Sequence, residues 1–164
     1  MCQNSTPEYS LLSKLNSPCS PPSFKQLEKA IQGDTFDWQA LKSQIKLDEN
    51  GLIPAIAQQF DTKEVLMMAW MNLPSIEETL KTGRVCYWSR SRQNYWRKGE
   101  ASGQIQLLKS LAFDCDGDTI LLTVDQTGPA CHTGRRSCFY SQVKGDKLEI
   151  TSAPLIDPSV LYKN

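Results

Sequence analysis

Leu111-Ala112-Phe113-Asp114-Cys115-Asp116-Gly117-Asp118-Thr119-Ile120-Leu121-Leu122-Thr123-Val124 is the stretch that decides the architecture. Two strand-like arms, Leu111 to Cys115 and Ile120 to Val124, flank the turn signal Asp116-Gly117, so the segment reads as an antiparallel hairpin with an acidic tip. In a pleated strand Asp114 and Cys115 point to opposite faces, and one ion cannot easily take both as ligands. Carboxylate oxygens suit magnesium, manganese or calcium, whereas thiolates suit zinc, so the tip points to two separate ligand sets.

Outward from the hairpin, further strand-like runs fall at 84–90, 104–115, 119–126 and 137–143, with a last one at 148–151 across a Lys-Gly-Asp turn. Upstream, Asp48-Glu49-Asn50-Gly51 reads as a type I′ hairpin turn ahead of a strand at 52–60. Asp61 and Glu64 have capping-box spacing, yet the apolar run at 65–71 is continuous and is read as a strand. The spacing predicts a helix over 76–82, with Ser75 as N-cap, Glu78 as its reciprocal partner and Gly83 just past the end. Two shorter helical readings cover 24–32 and 37–45. Mostly antiparallel strands with a few helices argue for an α+β domain rather than a doubly wound one. The Ser-, Pro- and Asn-rich start, up to about Pro22, is too poor in apolar residues to fold. The expected organisation is therefore a disordered or accessory extension over 1–34 and a single domain over 35–164.

The chain of 164 residues carries 18 basic and 18 acidic side chains, and no net field argues for nucleic acid or an anionic membrane as partner. No apolar run approaches the roughly 20 residues that span a bilayer, and the polar start lacks a secretory pattern, so a cytoplasmic location is expected. Six irregularly spaced cysteines in such a chain are read as thiols and metal ligands rather than a disulfide framework. Cys2 and Cys19 fall in the extension and are given no role, and Cys86 is read as core.

The second informative stretch is Cys131-His132-Thr133-Gly134-Arg135-Arg136-Ser137-Cys138. Cys131 and Cys138 are separated by six residues, wider than a zinc-finger knuckle, and are the plausible companions of Cys115. Three thiolates would leave the fourth tetrahedral position of zinc for water, which fits catalysis better than a structural role. Zinc lowers the pKa of bound water from about 15.7 toward neutral. His132, the only histidine, stands beside one ligand and could move protons. Trp88, Tyr95 and Trp96 interleave with Arg84, Arg90, Arg92, Arg97 and Lys98, a mixture suited to a phosphorylated nucleotide, although packing and solvated charge are their ordinary roles.

Blander and rival readings exist for each feature. The acidic tip could be a solvated turn. A calcium EF-hand is rejected because loop positions six and twelve would be Thr119 and Asp125 instead of Gly and Glu. A magnesium-dependent phosphatase acting through Asp114 would want Thr directly after Asp-Gly, where Asp118 stands. A zinc-stapled nucleotide-binding module without catalysis would place four protein ligands on the metal.

Cys86-Tyr87-Trp88-Ser89-Arg90-Ser91-Arg92, Trp96-Arg97-Lys98-Gly99-Glu100, the aspartate-cysteine hairpin and the run from Ala130 to Tyr140 together resemble the phosphoribosyl-AMP cyclohydrolases of histidine biosynthesis. The resemblance runs from about Leu47 to Tyr162, including Ile156-Asp157-Pro158, with Ala101 standing where the family often has Thr or Ser. It implies an α/β roll, an intertwined homodimer, and hydrolytic opening of the purine ring of N1-(5-phosphoribosyl)-AMP between N1 and C6. It further implies zinc on Cys115, Cys131 and Cys138, with Cys115 from the other subunit, and magnesium on Asp114, Asp116 and Asp118. His132 is then the expected proton carrier. Trp88, Arg90, Arg92, Lys98, Arg135 and Arg136 are expected to meet the substrate and its phosphates.

Overall fold

The computed structural model describes residues 21–161, so the tail up to Ser20, with Cys2 and Cys19, and the end from Tyr162 lie outside the described residues. The chain divides after Gln44 into two compact units. The first contains α1 (Phe24–Leu27) and α2 (Trp38–Leu41), the latter continued by a 3-10 turn over Lys42–Gln44. Both helices are shorter than their sequence spacing predicts. Asp37 caps α2 by accepting from the Ala40 N–H at 2.8 Å.

The second unit is built on a six-stranded sheet in the order β4-β3-β2-β1-β6-β5. Its strands are β1 (Ile53–Gln59), β2 (Val65–Met71), β3 (Cys86–Ser89), β4 (Asn94–Arg97), β5 (Gln106–Phe113) and β6 (Ile120–Gln126). All neighbours are antiparallel except β1 and β6, whose parallel pairing runs from Ala55–Ile120 to Gln59–Val124. Alternate residues of these two central strands are buried, Ile53, Ala55 and Ala57 on one and Ile120, Leu122 and Val124 on the other. The sheet curls back on itself: Val85 N–H donates to Gln106 at 3.0 Å and Leu108 N–H to Gly83 at 2.8 Å, joining β5 to the entrance of β3. The α+β class and the curled, mostly antiparallel sheet agree with the sequence reading.

α3 (Leu73–Thr82) begins earlier than expected. Asn72, not Ser75, is the N-cap, and the box closes between Asn72 and Ser75, each side chain bonding the other's N–H at 2.9 Å. Glu78 is thereby released to take Arg97 in a two-pronged ion pair at 2.6 and 3.0 Å. The helix buries Ile76 and Thr79, and Thr79 Oγ1 accepts from the Cys86 N–H at 2.9 Å, fixing β3 beneath it. Cys86 is fully buried, as read from the sequence, and burial pushes its thiol up to about 11.

Three local expectations are corrected. The turn before β1 is not type I′, because Asn50 does not have positive φ; Asp48 instead accepts from the N–H groups of Asn50 and Leu52 at 2.8 and 2.9 Å. β4 was not expected. β5 ends at Phe113, so Asp114 and Cys115 lie in the turn beyond it and the pleat argument for their opposite directions does not apply. Finally, β7 (Ser141–Lys144) and β8 (Lys147–Ile150) form a separate two-stranded sheet, every residue of which is exposed.

Candidate active site

The thiol loop is closed by backbone bonds. Ala130 and Cys131 N–H groups donate to Arg136 and Arg135 carbonyls, both at 3.1 Å, and Gly134 N–H donates back to Cys131 at 3.0 Å. Cys138 is docked on the start of β2 by its N–H to the Leu66 carbonyl at 2.7 Å, and the Ser137 hydroxyl reaches Val65 at 2.8 Å. These anchors bring the two thiols together. Cys138 is exposed as a residue, but partial desolvation of its sulfur raises the thiol to about 12, and the neighbouring Cys131 pushes it in the same direction. Cys131 is buried, and its Sγ shares a hydrogen bond with Thr133 Oγ1 at 3.1 Å, a contact that sequence reasoning missed. His132 is exposed at the crown of the loop.

Gly134 is required there on two counts. Its φ is +75°, and a Cβ would run into the Ile156 carbonyl oxygen, whose own segment is held by Leu155 N–H to Gly134 at 2.8 Å. Gly134→Ala is expected to cost at least about 2 kcal/mol in thermal unfolding. Gly51→Ala, at φ +73° with nothing within 4 Å, should cost about 1 kcal/mol. Equal losses would discount the close approach.

Arg136 braces the same loop from outside, donating through Nη1 to the Gln126 and Gly128 carbonyls at 3.2 and 3.0 Å and pairing with Glu64 at 3.4 Å. Arg135 lies 4.2 Å over the Tyr140 ring and donates to Ser152 O at 2.9 Å. These two of the expected phosphate ligands are thus engaged within the chain. Beneath the loop runs a buried polar relay, Tyr87 hydroxyl to Gln106 at 2.7 Å and Gln106 amide to Gln126 at 2.8 Å, and Gln126 in turn donates to the Thr127 carbonyl at 2.6 Å.

The acidic tip is a separate centre. Ligand oxygens of Asp114, Asp116 and Asp118 lie within 4.8 Å of one another, the one group of three or more potential metal ligands among the described residues. Asp114 Oδ1 accepts from the N–H groups of Gly117, Asp118 and Thr119 at 3.0 to 3.1 Å. Desolvation opposes ionisation of Asp114, but the Thr119, Asp118 and Gly117 bonds outweigh it and hold the carboxyl below its usual range. Such a turn keystone is poorly placed to act as a phosphatase nucleophile. Lys46 Nζ bonds Asp116 Oδ2 at 2.8 Å, so a cation already faces the cluster, in an ion pair whose partners are both about half-exposed. Cys115 is exposed on this tip and does not join Cys131 and Cys138 within the chain.

Trp88, Ser89, Arg90 and Ser91 line a concavity of about 500 Å³ together with Trp70 and Trp96. Arg90 sits 4.7 Å over the Trp70 ring, and Trp88 meets Tyr95 edge-on at 5.3 Å. Trp70 is a second residue that sequence reasoning does not single out, because it stands within a continuous apolar strand; it pairs with Trp88 across β2 and β3 and lines this cleft. Arg92 is exposed, with Nε on the Ser89 hydroxyl at 3.2 Å. Lys98 departs from the exposed run to which it belongs in sequence: it is buried, and burial lowers its pKa while Cys138 and Cys131 act in the opposite sense.

The phosphoribosyl-AMP cyclohydrolase family model matches residues 67–140. A phosphoribosyl-AMP cyclohydrolase of Hydrogenovibrio crunogenus is 74% identical over 140 residues, covering 85% of this chain and 95% of that protein. Those of Alkalilimnicola ehrlichii and Halorhodospira halophila are 63% and 58% identical, over 85% and 84% of this chain and 98% and 97% of their own lengths. Relatives so similar over so much of both chains make this protein an enzyme of the hydrolase class. It belongs to the phosphoribosyl-AMP cyclohydrolase family.

Proposed function

We propose that the chain opens the purine ring of N1-(5-phosphoribosyl)-AMP as the third step of histidine biosynthesis, in the cytoplasm. Water adds its oxygen to C6, the N1–C6 bond breaks, N1 takes a proton, and C6 becomes the carboxamide of the formimino-type ribotide. The observation that carries this reading is the pair of adjoining thiols with an exposed imidazole beside them, in a chain of this family. Two soft donors on one loop fit zinc, and Cys115 would complete the set from a second copy. Zinc bound there would supply a Lewis acid that makes water a stronger nucleophile.

The chain's own residues do the rest. His132 takes a proton as water attacks and returns one to N1 as the ring opens. The indoles of Trp88 and Trp70 offer faces for the purine, and the exposed Arg90 and Arg92 are the cations at the cleft that would meet phosphate, with Arg135 and Arg136 beside the loop as further partners. Asp114, Asp116 and Asp118 are proposed to hold magnesium, which would have to compete with Lys46 for Asp116.

A homodimer is supported by what the unit leaves uncovered. A two-stranded sheet is marginal alone, yet β7–β8 exposes Val143 at 77% and Leu148 at 65%, and the outer face of the large sheet exposes Met68 and Leu121. A second copy laid over these surfaces would bury them and deliver its own hairpin tip. No helix among the described residues is long and apolar enough to cross a membrane.

The direct test is metal analysis of the purified protein together with the ultraviolet spectrum of the product from phosphoribosyl-AMP. Phosphate release without ring opening would refute the reading. His132→Ala is expected to keep zinc while losing roughly 10²- to 10⁴-fold in turnover. Unchanged turnover across pH in the zinc-loaded variant would remove His132 from the proton path.

A further inference from the structure

Among the described residues only two non-glycines hold a left-handed backbone, Lys63 at φ +62° and Gln93 at φ +49°. Glycine takes that conformation without the cost a Cβ brings, so a glutamine retained there points to a use for its side chain. Gln93 ends the four-residue turn between β3 and β4, whose flanking pair is Ser89 and Asn94. Its Nε2 donates to the Arg90 carbonyl at 2.7 Å, and on the same turn Arg92 Nε donates to the Ser89 hydroxyl at 3.2 Å. The Gln93 amide therefore fixes the backbone from which the Arg90 side chain departs. That guanidinium lies 4.7 Å over the Trp70 ring, within the aromatic concavity. It also lines a second concavity of about 340 Å³, together with Asn50, Leu52, Asn72, Trp88 and Gln93. The two share Trp88 and Arg90 but differ in chemistry: the first has three indoles in its wall, the second three carboxamides and no carboxylate to repel an anion. Carboxamides both donate to and accept from sugar hydroxyls, and a guanidinium matches phosphate oxygens. A base in the first concavity and a ribose phosphate in the second would meet at Arg90.

We propose that Gln93 is a positioning residue: by holding the Arg90 carbonyl it sets the Arg90 guanidinium between the two concavities, where it meets the phosphate of a ribose-phosphate arm lying in the second. This role deepens the cleft reading above and rests on Arg90 meeting substrate. A turn already tied in its working shape spares the substrate the cost of ordering an exposed arginine on binding. The effect therefore falls on KM rather than on the chemical step.

The test compares wild type with Gln93→Gly and Gln93→Ala, which both lose the amide but differ in backbone strain. The readouts are KM and kcat for phosphoribosyl-AMP, inhibition by ribose 5-phosphate and by adenosine, and thermal unfolding. Both variants should raise KM and weaken ribose 5-phosphate by a similar factor, roughly 3- to 10-fold, at wild-type kcat and with adenosine unaffected. Melting should separate them, with Gln93→Gly the more stable because it relieves the left-handed strain. In an Arg90→Ala background, Gln93→Gly should raise KM no further. A wild-type KM in Gln93→Gly, or a KM that tracks melting temperature across the two variants, would overturn the proposal in favour of a plain turn residue. An undiminished further rise in the Arg90→Ala background would overturn it in favour of direct contact with substrate. Weakened adenosine with unchanged ribose 5-phosphate would overturn the assignment of the second concavity to the sugar phosphate. A wild-type KM in Arg90→Ala itself would instead defeat the cleft reading on which the role rests.

Discussion

Cys131→Ser is expected to lose bound zinc and turnover together while remaining folded and soluble. The bonds that shape the loop, Cys131 N–H to Arg135 and Gly134 N–H to Cys131, belong to the backbone and survive the change. Serine is close to cysteine in shape, and its hydroxyl can keep the partnership with Thr133. The lost property is the soft, ionisable donor: a neutral hydroxyl is a poor ligand for zinc at pH 7, whereas a thiolate is a strong one. Changes to residues that merely support a ligand cost roughly 10- to 100-fold, so removal of a ligand should exceed that in both metal affinity and turnover. Metal analysis, assay and thermal unfolding of the same preparation check all three. A zinc-free variant with full turnover would discard the metal-dependent mechanism, and a variant that unfolds would show the thiol to be a packing element first.

Much of the fold is written in local pattern, and the failures have identifiable causes. β2 is read to the residue because seven apolar positions in a row have no polar break to blur the ends. α3 starts at Leu73 rather than 76 because Asn72 and Ser75 are both competent caps, and Pro74 near the helix start favours the earlier one. Its supposed partner Glu78 is claimed by Arg97 from β4, a strand hidden in a run of cations and amides with no alternation to mark it. β5 stops at Phe113 because a single Asp114 oxygen gathers three N–H groups and bends the chain away from the ladder. The candidate site is legible by residue type but not by distance. Nothing in Cys131-x6-Cys138 reveals that Leu66 and Val65 seat Cys138 beside Cys131. Likewise, Lys98 looks like one more surface charge beside Arg97, yet just past β4 its N–H bonds the Val85 carbonyl and the residue is buried.

Co-expression of Cys115→Ser with Cys131→Ser is expected to recover about a quarter of wild-type activity from two chains that are each inactive alone. Within one chain Cys115 is exposed on the acidic tip, apart from the thiol pair. If each site draws Cys115 from one subunit and Cys131 with Cys138 from the other, a mixed dimer holds one site with both lesions and one with neither. Random assortment makes about half of the dimers mixed, and each of these has one working site of two. The two chains would carry different affinity tags, so that mixed dimers can be isolated and shown to hold half the wild-type zinc. Cys131→Ser with Cys138→Ser supplies the contrast: both lesions fall on the same half of the site, every site keeps one, and no activity should return. No recovery in the first pairing would mean that Cys115 does not reach the thiol pair of another subunit, and recovery in the second would mean that Cys131 and Cys138 of one chain do not share a site.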